Sequence, residues 1–212
     1  GAPRASIYMG KQDHDTAEKI LGGCFALQLA VSALLTAVLL LWSRDLLLAF
    51  GASENTIGYA ASYMQIYAVG TVFGQLTLGL NAFITAQGFA KIGMRTVLIG
   101  AVTNILLDPV FIFGLDMGVA GGALATVLGQ ALSLVMVLYY LFRTRIRTIR
   151  LTAASLHPSG PLLRAICSLG VSPFLNQMAM FLVQITLNNT LTYYGALSHY
   201  GEDIPLACVG VI

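Results

Sequence analysis

Asp108 is an acid inside a long apolar stretch, which makes it the first residue to consider for chemistry. A carboxylate within a bilayer costs at least about 2.5 kcal/mol, so a position that keeps one is a candidate functional site. Asn104 lies four residues earlier and shares its helix face. Pro109 clashes with the carbonyl of Ile105, so we expect a kink that frees carbonyl oxygens. These oxygens suit Na⁺, and the carboxylate can also take up H⁺. The alternative is a structural hydrogen bond near the outer interface.

Two further apolar stretches carry polar side chains that could contribute to a site. Thr126 and Gln130 lie four residues apart, and this stripe faces Asp108 only if the two helices pack that way. Gln130 is also a candidate for a substrate pathway. The last long stretch carries several amides, which could line a substrate pathway or bridge helices, and both interpretations fit the sequence. These amides are Asn176, Gln177, Gln184 and Asn188.

Metal and nucleophilic chemistry have no support in this sequence. The histidines and cysteines are scattered, without ligand or CxxC spacing: His14, His157, His199, Cys24, Cys167 and Cys208. No P-loop, GxSxG or HExxH motif is present. We therefore expect no enzyme activity, no cofactor, and no metal beyond Na⁺ at Asp108.

The elements that position these residues follow from composition. Only 9% of the 212 residues are charged, against roughly 25% in soluble domains, so most of the surface faces lipid. A bilayer core of about 30 Å needs roughly 20 helical residues, far more than a barrel strand. Five stretches of this kind lack Lys and Arg, and a sixth begins near Ile204: 20–43, 57–85, 96–115, 119–142 and 166–194. The sequence therefore predicts an all-α, polytopic helix bundle.

The basic residues predict the orientation of the spans. Ten of the eleven Lys and Arg residues fall in alternate connecting segments, namely 1–19, 86–95 and 143–165, and the others hold only Arg44. The positive-inside bias makes those three segments cytoplasmic in a multi-pass protein of the plasma (inner) membrane. The net charge of +2 and the absence of a basic, aromatic-rich run exclude a nucleic-acid partner.

The segment 143–165 is the longest polar interruption and has the composition of a linker. We interpret it as a basic cytoplasmic linker, solvated and setting topology, between a partial first lobe (1–142) and the start of a second lobe (166–212). The chain starts without Met and stops inside an apolar run, so we expect an internal part of a longer protein. Small-residue spacings predict close helix packing at two pairs, Gly70 with Gly74 and Gly118 with Gly122.

The run from Asn81 to Gln130, NAFITAQGFAKIGMRTVLIGAVTNILLDPVFIFGLDMGVAGGALATVLGQ, resembles the multidrug and toxic compound extrusion (MATE) family. The strongest parts are NILLDPVFIFG and GVAGGALATVLGQ. The opening GAPRASIYMGKQD resembles the end of the family's second helix, and LGVSPFLNQ from Leu169 to Gln177 resembles the opening of its second lobe. Members have twelve helices in two lobes, so the resemblance implies the end of helix 2, helices 3 to 7 and the start of helix 8.

The resemblance implies secondary active export of organic cations and drugs by a protein that is monomeric at full length, with Na⁺ or H⁺ as the coupling ion. In the prokaryotic multidrug exporter branch, the first-lobe cation site uses residues that fall here on Asn104, Asp108 and Thr126. A further family acid sits on helix 1, which this chain lacks. Thr85 departs from relatives that often carry a basic residue there, so a cytoplasmic gate contact at that position is not implied.

Two other functions are alternatives. A lipid-linked oligosaccharide flippase of the same superfamily would need fixed cations in its cavity, and none of the five predicted spans holds Lys or Arg. A non-transporting membrane scaffold would use Asp108 only to hold helices together, and it predicts no cation-dependent change at that acid.

Overall fold

The computed structural model describes residues 1–50, 56–143, 148–151, 160–197 and 208, and it is helical without strands in these residues. Its elements are α1 (Ala2–Gly10), α2 (His14–Leu41), α3 (Ser43–Ala49), α4 (Ile57–Ala86), α5 (Ala90–Pro109), a π-helical segment (Val110–Gly114), α6 (Gly118–Arg143) and α7 (Gly160–Ala196).

Five helical stretches among the described residues are long and apolar enough to cross a bilayer: His14–Leu41, Ile57–Ala86, Ala90–Gly114, Gly118–Phe142 and Gly160–Ala196. The predicted all-α, multi-pass architecture is therefore confirmed. The first, third and fifth helices begin six residues before the predicted stretches, because a helix continues into the headgroup region where polar residues are tolerated. The first span ends at Leu41, two residues before its predicted end at 43. The sixth predicted stretch, near Ile204, lies outside the described residues.

α4 and α6 form the centre of the bundle among the described helices. α6 packs against α4 and α5, and α4 packs in turn against α2. Close approach of α4 to α6 depends on glycine, because a Cβ on Gly70 would overlap Val127, and one on Gly74 would lie 3.0 Å from Gln130 Oε1. The first small-residue pair therefore packs as predicted.

The second predicted pair does not hold helices together. A Cβ on Gly118 would meet nothing within 4 Å, and one on Gly122 would lie at an ordinary 3.7 Å from Ile112. Gly118 instead has a φ of +54° where the turn enters α6, a conformation that favours glycine. The prediction for this pair was wrong, because spacing alone does not say which helix face meets a neighbour.

α7 packs apart from the other spans. Its main partner among the described helices is α2. Two contacts join α7 to the C-terminal end of α3. Asn189 Nδ2 donates to the carbonyl of Ala49 at 3.1 Å. The rings of Phe50 and Phe181 meet edge to face with centroids 5.3 Å apart. The proposed division into two lobes stays a prediction.

The described part of the segment between α6 and α7 is packed against the bundle. Ile149 is 0% exposed and Leu151 is 3% exposed, and both belong to the main hydrophobic cluster. The Gln87 side chain accepts hydrogen bonds from the backbone N–H groups of Thr148 (3.0 Å) and Ile149 (3.3 Å). The expectation of a merely solvated loop was wrong here, because burying each aliphatic side chain stabilises by about 1.5–3 kcal/mol.

The three basic segments meet at the same end of the bundle. The N–H of Arg150 donates to Glu18 Oε1 at 2.8 Å, and Gln87 supplies the contact to the turn after α4. Arg4 Nη1 donates to the carbonyl of Ala165 at the start of α7. This convergence agrees with one cytoplasmic side for all three.

Asp13 caps the first long helix at this end. Its Oδ1 accepts the N–H of Thr16 at 3.0 Å, and the adjoining α2 begins at His14. A hydrogen bond from the Thr16 side chain and, to a smaller extent, the one from its backbone N–H lower the pKa of Asp13 below its ordinary 3.8. Because the pKa is lowered in the folded state, the cap stabilises α2 fully at pH values above 3.8. This stabilisation is lost as the pH falls through the lowered pKa.

The difference in thermal stability between the wild type and Asp13→Ala is expected to depend on pH. The wild type should unfold at the higher temperature at about pH 7, and the gap should be smaller at about pH 3, which is below the ordinary pKa of 3.8. Unfolding temperatures of the purified proteins at both pH values measure the gap. A gap that is the same at both values would contradict this role.

Candidate cation site

Asp108, Asn104 and Thr126 form a polar cluster between α5 and α6. Asn104 Nδ2 lies 3.3 Å from Asp108 Oδ1, one turn along the same helix, and 3.3 Å from Thr126 Oγ1 on α6. Thr126 Oγ1 in turn donates to the carbonyl of Gly122 at 2.9 Å, as a threonine in a membrane helix commonly does. The structure therefore brings the three candidate residues together through the Asn104 amide.

The charge of Asp108 is not compensated by a protein cation. Among the described residues it forms no ion pair, and its one hydrogen bond is the contact from Asn104. Both contacts of the amide are longer than the usual 2.7–3.2 Å, so the cluster is loosely bonded. A carboxylate within a membrane-spanning helix is costly, and such residues mark ion or substrate pathways.

The helix changes its hydrogen bonding directly after the acid. Pro109 has no N–H to donate to the carbonyl of Ile105. The chain continues as the π-helical segment, in which the N–H of Leu115 donates to the carbonyl of Val110 at 2.9 Å. A π segment therefore follows Pro109 directly, a feature that often occurs at functional sites. The kink expected at Pro109 stays a prediction.

Two glycines set the distance between the helices that carry the cluster. A Cβ on Gly129 would lie 2.7 Å from the carbonyl oxygen of Gly100, and a Cβ on Gly100 would lie 2.9 Å from the carbonyl oxygen of Gly129. Neither backbone can give way as a flexible side chain would. This close approach lets the short side chains of Asn104 and Thr126 reach each other.

A cavity of about 280 Å³ opens beside the cluster. Asn104 and Thr126 lie in its wall, and Gln130 lines it one turn further along α6. The predicted polar stripe of Thr126 and Gln130 therefore faces the same space as Asn104. Ser133 is a neighbour on the same helix, and its buried hydroxyl donates to the carbonyl of Thr96 at 2.8 Å.

The amides predicted on the last span do not reach this cluster. Asn176 and Gln184 are exposed on α7. Gln184 Nε2 donates to Asn188 Oδ1 at 3.1 Å, so these two side chains bond along their own helix. Their part in a substrate pathway stays a prediction.

Gly100, Gly129 and Ser133 were missed by the sequence argument. A signal was present, because Gly100 is one turn before Asn104 and Gly129 lies three residues after Thr126. Pairing a glycine with a polar residue on each of two adjacent spans would have selected this contact. The glycine pairs predicted above lie within one helix each, and such pairs do not show which neighbouring helix they meet.

The family assignment follows from the order of these elements and their sequence. The sequence pattern of the MatE family matches residues 1–110, about half of the chain. This chain belongs to the MatE family. The predicted resemblance is thereby confirmed.

Curated MatE relatives include the multidrug export protein MepA of Staphylococcus aureus (strain bovine RF122 / ET3-1). It is 26% identical to this chain over 204 residues, which is 95% of this chain and 45% of that protein. The chain thus spans about half the length of the curated relatives that it matches.

Solved structures of MatE-type transporters have the same fold. One is described as the inward-facing conformation of a multidrug resistance MATE family transporter of the MOP superfamily; it is 24% identical, with a TM-score of 0.88 over 98% of this chain and 46% of that one. Another, a MOP superfamily transporter from Pyrococcus furiosus, has 23% identity and a TM-score of 0.83 over 99% of this chain and 45% of that one. Its description states that the reverse polarity of its binding pocket suggests a different function. The fold alone therefore does not identify a substrate.

Proposed function

We propose that this chain belongs to a secondary active multidrug exporter that moves organic cations or drugs outward in exchange for Na⁺ or H⁺. The observation that carries the proposal is the Asp108 carboxylate, which has no ion-pair partner among the described residues and lies beside Asn104 and Thr126 within the membrane-spanning helices. The curated relatives named as multidrug export proteins support the substrate class.

The cluster supplies the ligands that a coupling cation needs. Asp108 and Thr126 offer a carboxylate and a hydroxyl oxygen, and Asn104 offers its amide oxygen if the amide turns over. Na⁺ would bind several of these oxygens, whereas H⁺ would bind the carboxylate alone. Either ion would cancel the charge of Asp108, and that cancellation is the event that we propose couples ion flow to drug release.

Coupling requires that the ion stabilise one access state more than the other. The π segment after Pro109 is the element suited to respond, because its hydrogen bonds can rearrange beside the acid. We propose that ion binding at Asp108 shifts this part of the helix and that cation and drug compete for the first lobe. The drug then leaves on the outer side.

The test measures transport of a fluorescent organic cation by the full-length protein in everted membrane vesicles. Because the cytoplasmic face of these vesicles points outward, export appears as uptake of the dye into the vesicle. A pH gradient and a Na⁺ gradient are applied separately, each with and without an ionophore that dissipates it. We expect dye transport with one of the two gradients and its loss when that gradient is dissipated. No gradient-dependent transport of any organic cation would contradict the proposal and favour the flippase or the scaffold.

A further inference from the structure

A groove runs between α4 and α5, from the candidate cation site toward the cytoplasmic turn, with a row of polar side chains in an otherwise apolar wall. Its inner part is the cavity beside Asn104, and a second cavity of about 430 Å³ lies next to it and shares Val97 and Ala101 with it. The second cavity reaches Thr85, at the end of α4 near the cytoplasmic turn. From Asn104 to Gly93, α5 covers about 16 Å, roughly half of a bilayer core.

The groove is one continuous face rather than two unrelated depressions. The residues that α4 contributes recur every three or four positions, as the residues of one helix face do: Gly74, Thr77, Asn81 and Thr85. α6 closes the bottom of the inner part with Gln130 and Ser133. Among the described residues, none of the side chains that line either cavity is Lys, Arg, Asp or Glu, so Asp108 meets the groove only through the Asn104 amide.

Two buried oxygens in the groove have no hydrogen-bond partner among the described residues. They are Gln130 Oε1 in the inner part and Asn81 Oδ1 in the outer part. The Asn81 amide nitrogen donates to the carbonyl of Gly93 at 3.1 Å, which leaves its oxygen as the acceptor. Both oxygens are closed off in the packed side of the groove, and a buried carbonyl without a donor costs about 1–3 kcal/mol. Each would therefore gain from turning toward the cavity that its residue lines, where water or a cation can reach it.

The chemistry of these oxygens selects the occupant. Both are acceptors, so they would bind water, hydronium or a hydrated Na⁺ and would not stabilise an anion. Thr77 adds to this, because its hydroxyl hydrogen is used toward the carbonyl of Phe73 at 2.7 Å, which leaves acceptor lone pairs. The basic residues closest in sequence, Lys91 and Arg95, are exposed and line neither cavity.

We propose that this groove is the hydrated path by which the coupling cation passes from Asp108 to the cytoplasm, with Gln130 and then Asn81 as successive oxygen stations. This inference rests on the proposed antiport. It assigns Gln130 to the ion path rather than to the substrate pathway suggested by sequence, and it assigns a role to Asn81.

Cysteine accessibility in the full-length protein tests whether the groove holds water. Ala101→Cys places a thiol in the groove, and Val102→Cys places one at the same depth on a side that lines neither cavity. A membrane-impermeant methanethiosulfonate reagent is applied to the cytoplasmic face of everted vesicles, and the wild type with its native cysteines gives the background. We expect Ala101→Cys to react at least about tenfold faster than Val102→Cys, because the thiolate forms in water and not in lipid.

Equal, slow reaction of both thiols would overturn the proposal. If Ala101→Cys does not fold, Leu98→Cys lines the same groove and is 56% exposed, so the substitution has room. A reactive groove thiol in a protein whose wild type shows no gradient-driven efflux would overturn the antiport, and the ion path with it, while leaving the groove hydrated. The two failures are thus distinguishable.

Gln130→Met tests the oxygen station itself. Methionine keeps the length of the side chain and removes the acceptor. We expect the maximal rate of gradient-driven efflux to fall about tenfold, while the ion concentration that gives half of that rate changes less than about twofold. A large change in the half-saturating concentration instead would make Gln130 a ligand of the binding site, and an unchanged rate would remove it from the path.

Discussion

Asp108→Asn is expected to lose gradient-driven efflux by roughly one to two orders of magnitude, the range typical of a coupling free energy. Asparagine keeps the size of the side chain and one oxygen, and it removes the charge that Na⁺ or H⁺ would cancel. Without that charge the ion no longer distinguishes the two access states. The measurement is gradient-driven dye uptake into everted vesicles, which corresponds to export from the cell. Dye binding is measured separately by fluorescence polarisation, and we expect it to persist in the variant.

Asp116→Asn is the matched control for charge removal. Asp116 lies eight residues further along the chain, exposed in the turn before α6, with a φ of +52° that asparagine also tolerates. We expect its efflux to stay within about twofold of the wild type. Equal efflux from Asp108→Asn and the wild type would make Asp108 a structural residue and would refute its coupling role.

Gly129→Ala is expected to damage both stability and transport. The new Cβ would lie 2.7 Å from the carbonyl oxygen of Gly100 and 3.4 Å from Asn104 Cβ, so α5 and α6 must move apart. Overpacking of this kind costs about 1–3 kcal/mol, against a gain of up to about 1 kcal/mol from helix propensity. We therefore expect a lower unfolding temperature in detergent, and weaker efflux because the contact between Asn104 and Thr126 is lost.

Gly122→Ala makes the same chemical change on the same helix without the clash. Its Cβ would meet Ile112 at 3.7 Å, an ordinary van der Waals distance. The propensity gain should then leave the unfolding temperature unchanged or slightly higher. If both variants unfolded at the same temperature, close approach of α5 to α6 would not limit stability.

The sequence was sufficient to predict the membrane-spanning architecture. The length of an apolar stretch predicts a membrane span because the free energies of transfer of its residues into lipid add up along the chain. Basic residues predict orientation because they accumulate on the cytoplasmic side. Half of the candidate site was equally accessible. Asn104 and Asp108 share one helix, so their contact follows from a four-residue spacing that holds in any tertiary structure.

The other half of the site required contacts between helices. Thr126 entered as a ligand only through the family resemblance, because its spacing to Gln130 does not say toward which neighbour α6 turns. The structure turns it toward Asn104, and the mutual approach of Gly100 and Gly129 sets that rotation. In lipid, all faces of an apolar helix are nearly equal in hydropathy, so the packed face is decided by which small residues meet across the interface.

The segment after α6 depended on tertiary structure in the same way. Its charges predicted a cytoplasmic position, which its contacts with Glu18 and Gln87 agree with. The burial of Ile149 and Leu151 was not predictable from a segment whose most frequent residue is arginine. Local sequence determines which segments lie in lipid and which in water, since that preference is summed residue by residue. The partner of each buried surface depends on shape complementarity between distant parts of the chain, which only the folded bundle provides.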